Sequence, residues 1–156
     1  MRIIFYFVVL ILFSGCVVNN KYNPPLYGKK YSDYEIYNAL LKEKSKWSKT
    51  PYVLGGTTKN GADCSGFTQS VLRDFDRKIP RTTKAQINSG FKIQKSKLKS
   101  GDLVFFKTGR GPNGMHVGIY LKNKKFIHLS TKGGAKEASL DNSYWKKRYI
   151  GARRYL

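Results

Sequence analysis

The spacing of the apolar residues changes once along the chain, near Gly90, and this change constrains the fold more than any other feature. Before it, apolar residues recur at helical spacing over 36–47 and 67–75, which predicts amphipathic helices. After it, short apolar runs predict strands at 103–106, 116–121, 125–129 and 148–155. Helices followed by a strand meander predict an α+β fold in which the helices pack on one side of an antiparallel sheet.

The predicted helices begin at residues that are good N-caps. Residues 32–35 form a capping-box pattern ahead of the first helix. Asp63 precedes a second helix, which begins at Cys64 and which Pro80 would end. A third, short helix is predicted to end near Ile87. Cys64, a potential nucleophile, is thus predicted to lie at the start of a helix.

The N-terminal residues are set apart from the fold. An apolar run of eleven residues, 3–13, is too short to cross a bilayer as a helix but has the length of a signal-peptide core. It ends in Ser-Gly-Cys16, which resembles the lipobox of bacterial lipoproteins. We expect a lipoprotein signal peptide over 1–15, a lipidated Cys16 with a flexible tether over 16–31, and one domain over 32–156. An ordinary signal peptide and an uncleaved anchor are the alternatives.

The same lipobox resemblance implies a location. More than one acyl chain on Cys16 would make membrane anchoring stable. In lipoproteins of double-membraned bacteria, an Asp after the lipidated cysteine is typical of retention at the inner membrane, and this chain has Val17-Val18 there. The resemblance therefore implies a lipid-anchored envelope protein, on the periplasmic face of the outer membrane if the source has two membranes.

Lipidation of Cys16 would leave Cys64 as the only other cysteine of the chain. An unpaired thiol in an oxidising compartment is a liability unless it is buried or used. The start of a helix favours the thiolate form, because the helix dipole stabilises negative charge there. A buried core cysteine and a reactive thiol both remain open at this point.

The only two histidines, His116 and His128, both fall on a predicted hairpin with a turn at 122–124. If that turn pairs Ile119 with Ile127, the two histidines are diagonal neighbours on one face of the sheet. A thiol, an imidazole base and a group that orients the base are the parts of a nucleophilic triad. The sequence therefore predicts that Cys64, His116 and His128 act together.

Zinc binding is the competing use of one cysteine and two histidines. Cys64, His116 and His128 could supply the three protein ligands of a catalytic zinc site. The chain has no closely spaced C-x-x-C or H-x-x-x-H pair, however, and a helix start suits a nucleophile better than a ligand. We therefore expect no metal and no other cofactor.

Six short runs share their order and spacing with one group of bacterial enzymes: PYVLGG at 51–56, DCSGF at 63–67, PRTT at 80–83, SGDLVFF at 100–106, HVGIY at 116–120 and FIHLS at 126–130. The pattern resembles the NlpC-type cell-wall cysteine peptidases over 34–156. These are small papain-like enzymes that hydrolyse peptidoglycan stem peptides. The run at 144–155 looks closest to the Spr branch, which consists of murein endopeptidase lipoproteins.

The resemblance implies roles for the three central residues. Cys64 would be the nucleophile, His116 the general base, and His128 the residue that orients His116. The implied function is a peptidoglycan endopeptidase that hydrolyses stem-peptide or crosslink amides through a thioester intermediate. The alternative from another class is a catalytically silent peptidoglycan-binding lipoprotein that positions other wall enzymes.

The resemblance also implies four residues around the nucleophile. Tyr52 would line the active site and help to hold the oxyanion. Asp63 and Ser65 would bind the stem peptide, although helix capping explains them equally well. Arg81 would contact a substrate carboxylate, and a solvated loop charge is its alternative.

The charge of the chain is strongly unbalanced, with 30 Lys+Arg, 9 Asp+Glu and a formal net charge of +21. A field this positive attracts polyanions, and nucleic acid is the first candidate. If the protein is exported, nucleic acid is excluded as a partner, and peptidoglycan carboxylates and anionic lipids remain as candidate partners. Dispersed lysines on solvated faces are the alternative explanation for part of the charge. We expect a monomer that binds peptidoglycan stem peptides and the membrane through Cys16, and no nucleic acid.

Overall fold

A computed structural model describes residues 30–109 and 114–156. The predicted signal peptide over 1–15, Cys16 and the tether as far as residue 29 lie outside the described residues. Within the described part of the chain, no helix is both long enough and apolar enough to cross a membrane.

Within the described residues, the domain has four α-helices, one short 3-10 helix (Lys95–Lys97) and eight strands. The helices are α1 (Asp33–Lys46), α2 (Cys64–Arg73), α3 (Thr83–Asn88) and α4 (Ser143–Arg148). The strands are β1 (Thr57–Thr58), β2 (Gly61–Ala62), β3 (Phe91–Ile93), β4 (Leu103–Lys107), β5 (Met115–Tyr120), β6 (Lys125–Leu129), β7 (Ala135–Ser139) and β8 (Tyr149–Arg154).

The predicted helix starts are confirmed. Ser32 and Glu35 form a complete capping box, and the Asp63 carboxylate accepts a hydrogen bond from the backbone N–H of Gly66. The end of α2 differs from the prediction, since the helix ends at Arg73. Asp76 takes the left-handed conformation, with φ 57°, and the chain reverses there in a Schellman-type turn.

Six strands make one antiparallel sheet in the order β3-β8-β4-β5-β6-β7. The stretch from β4 to β6 is the predicted meander, and β7, a strand that the sequence did not predict, extends it. The last strand does not continue it, because α4 carries the chain back across the sheet and β8 pairs with β4 and β3. The α+β class and the antiparallel sheet are thus confirmed, and the position of the last strand is the difference.

Alternate residues of β4 divide the core between the two faces of the sheet. Leu103 and Phe105 join the cluster formed with helices α1 and α2. Val104 and Phe106 point to the other face and pack with Trp145 of α4 in a second cluster. The three N-terminal helices therefore share a core on one face as expected, and the short α4, which the sequence did not predict, packs on the other.

The hairpin of β5 and β6 has the predicted register, with Ile119 opposite Ile127. Asn123 and Lys124 in its turn have φ angles of 52° and 60°. A side chain is excluded at Gly118, where a Cβ would lie 2.6 Å from the Phe126 ring and 2.7 Å from a backbone carbonyl oxygen. This close approach keeps the strands in the register that sets the two histidines.

Candidate active site

Cys64 is the first residue of α2 and is 6% exposed. Its Sγ lies 3.6 Å from Thr83 Oγ1 on α3. It also receives backbone hydrogen bonds from Ser65 and from Val117, the residue that follows His116 on β5. The thiol therefore lies where α2, α3 and the histidine-bearing strand meet, which brings Cys64 beside the strand segment of His116.

Burial raises the pKa of the Cys64 thiol, and the hydrogen bonds from Thr83 and Val117 offset part of this rise. The nearby Asp63 carboxylate raises it further. The thiol is therefore neutral in the folded protein, and it needs a base to become a nucleophile.

The two histidines form a buried pair. The Nε2 atom of His116 lies 3.0 Å from Nδ1 of His128, and the rings are nearly perpendicular. Burial lowers the pKa of both imidazoles, and each is less than a tenth exposed. Lys136, opposite His128 on β7, lowers the pKa of His128 further. Both rings are therefore neutral, and Nδ1 is the nitrogen of His116 that remains to accept a proton.

Trp145 of α4 packs against both imidazoles. Its ring centroid lies 5.6 Å from that of His116 and 4.9 Å from that of His128. It also makes an edge contact with Phe126 on β6. Sequence reasoning missed this residue as part of the site, although it lies in the 144–155 run that supported the resemblance. The tryptophan keeps water from one side of the histidine pair.

A groove crosses the site in two halves. The half around the thiol, here called the Cys half, is lined by Cys64 together with Leu54, Asp63, Ser65, Arg81 and Thr83, among others. The half around the imidazoles, here called the His half, is lined by His116 and His128 together with Ser130, Thr131, Lys132 and Trp145, among others. Tyr52 and Met115 line both halves. These two residues mark the centre, where a scissile bond would lie between the thiol and the imidazole.

Tyr52 is held beside the helix start by a bridge to Ala62. Burial, and next the negative charges that Cys64 and Asp63 can carry, raise the pKa of Tyr52 to about 12. The phenol therefore keeps its proton and can donate a hydrogen bond into the groove. This position suits the oxyanion role that the resemblance implies, and the role itself stays a prediction.

Arg81 forms a two-pronged ion pair with Asp63 at the start of α2. Its Nη1 and Nη2 lie 2.9 and 2.7 Å from the two carboxylate oxygens. The same guanidinium donates to Ser65 Oγ and to the backbone carbonyl of Gly56. Burial alone would raise the pKa of Asp63, but hydrogen bonds, from Arg81 above all, lower it overall.

The structure thus brings all four predicted residues around Cys64 together. The Asp63 carboxylate accepts hydrogen bonds from Gly66, Gly55, Ser65 and Arg81, so both of its oxygens already have partners within the protein. The substrate contacts predicted for Asp63, Ser65 and Arg81 stay predictions. Within 30–109 and 114–156, no three His, Cys, Asp or Glu side chains converge as a metal site requires.

The site combines a thiol at a helix start with two neutral imidazoles that are hydrogen-bonded to each other, in an open groove. This arrangement is typical of a thiol-dependent hydrolase. Comparison with known proteins narrows this class. The profile of the NlpC/P60 family matches residues 49–154. The chain belongs to the NlpC/P60 family.

Two Escherichia coli proteins illustrate the sequence similarity. The probable endopeptidase NlpC is 44% identical over 155 residues, which cover 99% of each chain. The murein DD-endopeptidase MepS/murein LD-carboxypeptidase is 42% identical over 123 residues, which cover 78% of this chain and 64% of that protein.

A solved structure shows the same fold. The lipoprotein-like NLP/P60 family protein of Staphylococcus aureus superposes with a TM-score of 0.71 at 30% identity. The superposition covers 84% of this chain and 44% of that one. The predicted family resemblance is therefore confirmed by both sequence and fold.

Proposed function

We propose that this chain is a peptidoglycan endopeptidase that cleaves stem-peptide or crosslink amides with Cys64 as its nucleophile. The observation that carries the proposal is the position of the thiol. Cys64 begins α2 and packs in the same core cluster as Val117, the residue next to His116, and Nε2 of His116 is hydrogen-bonded to Nδ1 of His128. The relatives named murein DD-endopeptidase and peptidoglycan endopeptidase support the substrate class.

The first half of the reaction forms a thioester. Nδ1 of His116 takes the proton of the Cys64 thiol, and the thiolate adds to the amide carbonyl. The resulting oxyanion would be stabilised by the Cys64 backbone N–H at the helix start and by the hydroxyl of Tyr52, which lines the same groove. The carbon–nitrogen bond then breaks, and the imidazolium of His116 gives its proton to the leaving amine.

The second half releases the acid. His116, neutral again, takes a proton from water, and the hydroxide adds to the thioester carbonyl. The carbon–sulfur bond breaks, His116 returns the proton to the thiolate, and a carboxylic acid product leaves. The protein ends with the neutral thiol and neutral imidazoles with which it began.

His128 holds His116 in the tautomer that this cycle needs. For Nδ1 of His116 to accept the thiol proton, Nε2 must carry the ring hydrogen and donate it to Nδ1 of His128. The His128 acceptor also stabilises the His116 imidazolium formed during the reaction. His128 is thus a positioning residue that acts through His116.

We also propose that Cys16 anchors the enzyme to the bacterial envelope. The short apolar run and the lipobox-like Ser-Gly-Cys support this, and a lipid anchor would hold the domain next to its insoluble substrate. Labelling of cells with a radioactive or alkyne fatty acid should mark the native chain but not Cys16→Ser. Equal labelling, or none, would refute the anchor. The monomeric state and the absence of a nucleic-acid partner remain predictions.

Digestion of purified peptidoglycan tests the enzymatic proposal. The full chain in detergent is incubated with peptidoglycan sacculi and with separated muropeptides, and the products are identified by mass spectrometry. Conversion of crosslinked dimers to monomers, or shortening of monomer stems, supports the proposal and identifies the bond. A protein that sediments with sacculi but yields neither product would instead be the silent wall-binding lipoprotein.

A further inference from the structure

The reaction assigns one half of the groove to each part of the substrate. His116 delivers a proton to the nitrogen that leaves, so this nitrogen must lie toward the imidazole. His116 lines the His half and Cys64 lines the Cys half. The acyl part of the substrate therefore occupies the Cys half, and the amine part occupies the His half.

The two halves differ in how their charged residues are arranged. In the Cys half, Asp63 and Arg81 neutralise each other in an ion pair, and Lys84 is a further cation there. The His half presents Lys132, and no carboxylate of the described residues lines it. A second lysine, Lys136, lies opposite His128 on the neighbouring strand. The amine part of the substrate thus enters a positively charged environment.

The turn that carries Lys132 is firmly placed. The Lys132 backbone N–H donates to Ser130 Oγ, and Gly133 donates to the Ser130 carbonyl at 2.8 Å. Gly134 donates to the Thr50 carbonyl at 2.7 Å and approaches the backbone of Ser48 so closely that no side chain would fit. The turn is therefore tied to the segment that precedes Tyr52, and it places the Lys132 backbone beside the His half, which the Lys132 side chain lines.

We propose that the His half binds a carboxylate on the amine part of the substrate and that Lys132 is its counter-ion. The inference rests on the proposed function and names a specificity residue for it. In a crosslink through a diamino dicarboxylic acid, the carbon that bears the scissile nitrogen also bears a carboxylate. Lys132 would reach this group while His116 protonates the adjacent nitrogen, so the enzyme prefers amides whose amine part carries that charge.

Two crosslinked muropeptide dimers test the proposal. They differ only at the carbon bearing the scissile nitrogen, where one has a carboxylate and the other a carboxamide. The full chain in detergent should favour the carboxylate dimer by roughly tenfold in kcat/KM, as expected for one charge-assisted hydrogen bond in a partly solvated groove. Lys132→Gln should remove this preference through KM with little change in kcat, and Lys132→Arg should keep it.

Lys92→Gln is the matched control, since Lys92 is an exposed lysine on β3, at the opposite edge of the sheet. It removes one charge and should leave the preference unchanged. A preference that persists in Lys132→Gln, or that Lys92→Gln abolishes equally, would overturn the local role of Lys132. Thermal melts of the lysine variants verify that each remains folded.

The outcomes separate this inference from the proposed function. If the wild-type chain cleaves both dimers at equal rates, the endopeptidase function stands and the carboxylate site is refuted. If it cleaves neither dimer nor sacculi, the proposed function fails and the inference falls with it.

Discussion

Nε2 of His116 lies 3.0 Å from Nδ1 of His128, and Trp145 covers both rings. This contact uses one nitrogen of His116 and leaves the other for proton transfer. Both imidazoles are buried, and burial lowers the pKa of each. Both residues of the pair are therefore neutral, and they have different tasks: His116 transfers the proton, and His128 positions His116.

The different tasks predict different losses on substitution. His116→Ala removes the base and should lower kcat by roughly 10³-fold, within the range of general acid–base catalysis. His128→Ala leaves the base but not its orientation, so a loss of roughly 10–100-fold is expected. His128→Asn offers a side-chain acceptor again and should recover part of the rate. Equal losses for His116→Ala and His128→Ala, measured on the same muropeptide, would contradict separate roles.

Trp145 should set the acidic limb of the pH–rate profile. Trp145→Ala admits water to the histidine pair, so the pKa of His116 should rise toward its ordinary value of 6.5. The acidic limb of kcat/KM should shift to higher pH, and Trp145→Phe should shift it less. Tyr34→Ala, which removes an aromatic ring that is 74% exposed on α1, is the control and should leave the profile in place. A profile unchanged in Trp145→Ala would show that the tryptophan does not shield the pair.

The buried histidine pair should also make the stability of the fold depend on pH, with a loss of stability in acid. The folded pKa of each histidine lies below the unfolded value near 6.5, so the unfolded chain binds more protons as the pH falls below 6.5. The stability from neutral burial is complete above that pH and is lost at lower pH, by up to about 1.4 kcal/mol per pH unit and histidine.

Urea unfolding between pH 7.5 and pH 5 measures this effect. His128→Gln should flatten the decline, because one titrating group is removed. Asp63 does not contribute to the decline in this window, since its pKa is lowered from an ordinary value of 3.8. Stability that stays constant down to pH 5 would mean that the imidazoles are not held neutral by the fold.

Substitutions of Arg81 and Asp63 should have strongly non-additive effects on the free energy of unfolding, because the two side chains form an ion pair. Arg81→Gln leaves a mostly buried carboxylate without its cation and should destabilise the fold by about 2 kcal/mol. Asp63→Asn keeps a side-chain oxygen that can cap α2, so its effect on stability reports mainly the lost negative charge. The double variant should be less destabilised than the sum of the single variants, by about 1 kcal/mol or more. Additive losses in a double-mutant cycle of unfolding free energies would mean that Arg81 is a solvated charge.

Local patterns predicted the parts of the site that depend on nearby residues. The length of the 122–124 turn and the even spacing of the two histidines were enough to place His116 and His128 on one face, because register follows turn geometry. The N-cap residue Asp63 placed Cys64 at a helix start in the same way. In both cases the deciding contacts lie within a few residues of the turn or cap.

Such local patterns could not predict contacts between segments that are distant in the sequence. α4 has six residues and no repeated apolar stripe, so neither the helix nor the packing of Trp145 on the histidines could be predicted. The approach of Thr83 to Cys64 depends on how the chain returns after α2. The early end of α2 follows from the left-handed conformation of Asp76, which Pro80 does not indicate.

The central claim is that the Cys64 thiol cleaves peptidoglycan amides, and Cys64→Ser tests it most directly. The full-length wild type, Cys64→Ser and Cys16→Ser are incubated in detergent with one crosslinked muropeptide, and product is quantified by mass spectrometry. Cys16→Ser removes the other sulfur-bearing cysteine side chain and should cleave at the wild-type rate. Cys64→Ser should remain folded, by its thermal melt, and lose at least about 10³-fold in rate, because a hydroxyl is a far weaker nucleophile at this site. Cleavage by Cys64→Ser at the wild-type rate would contradict the account.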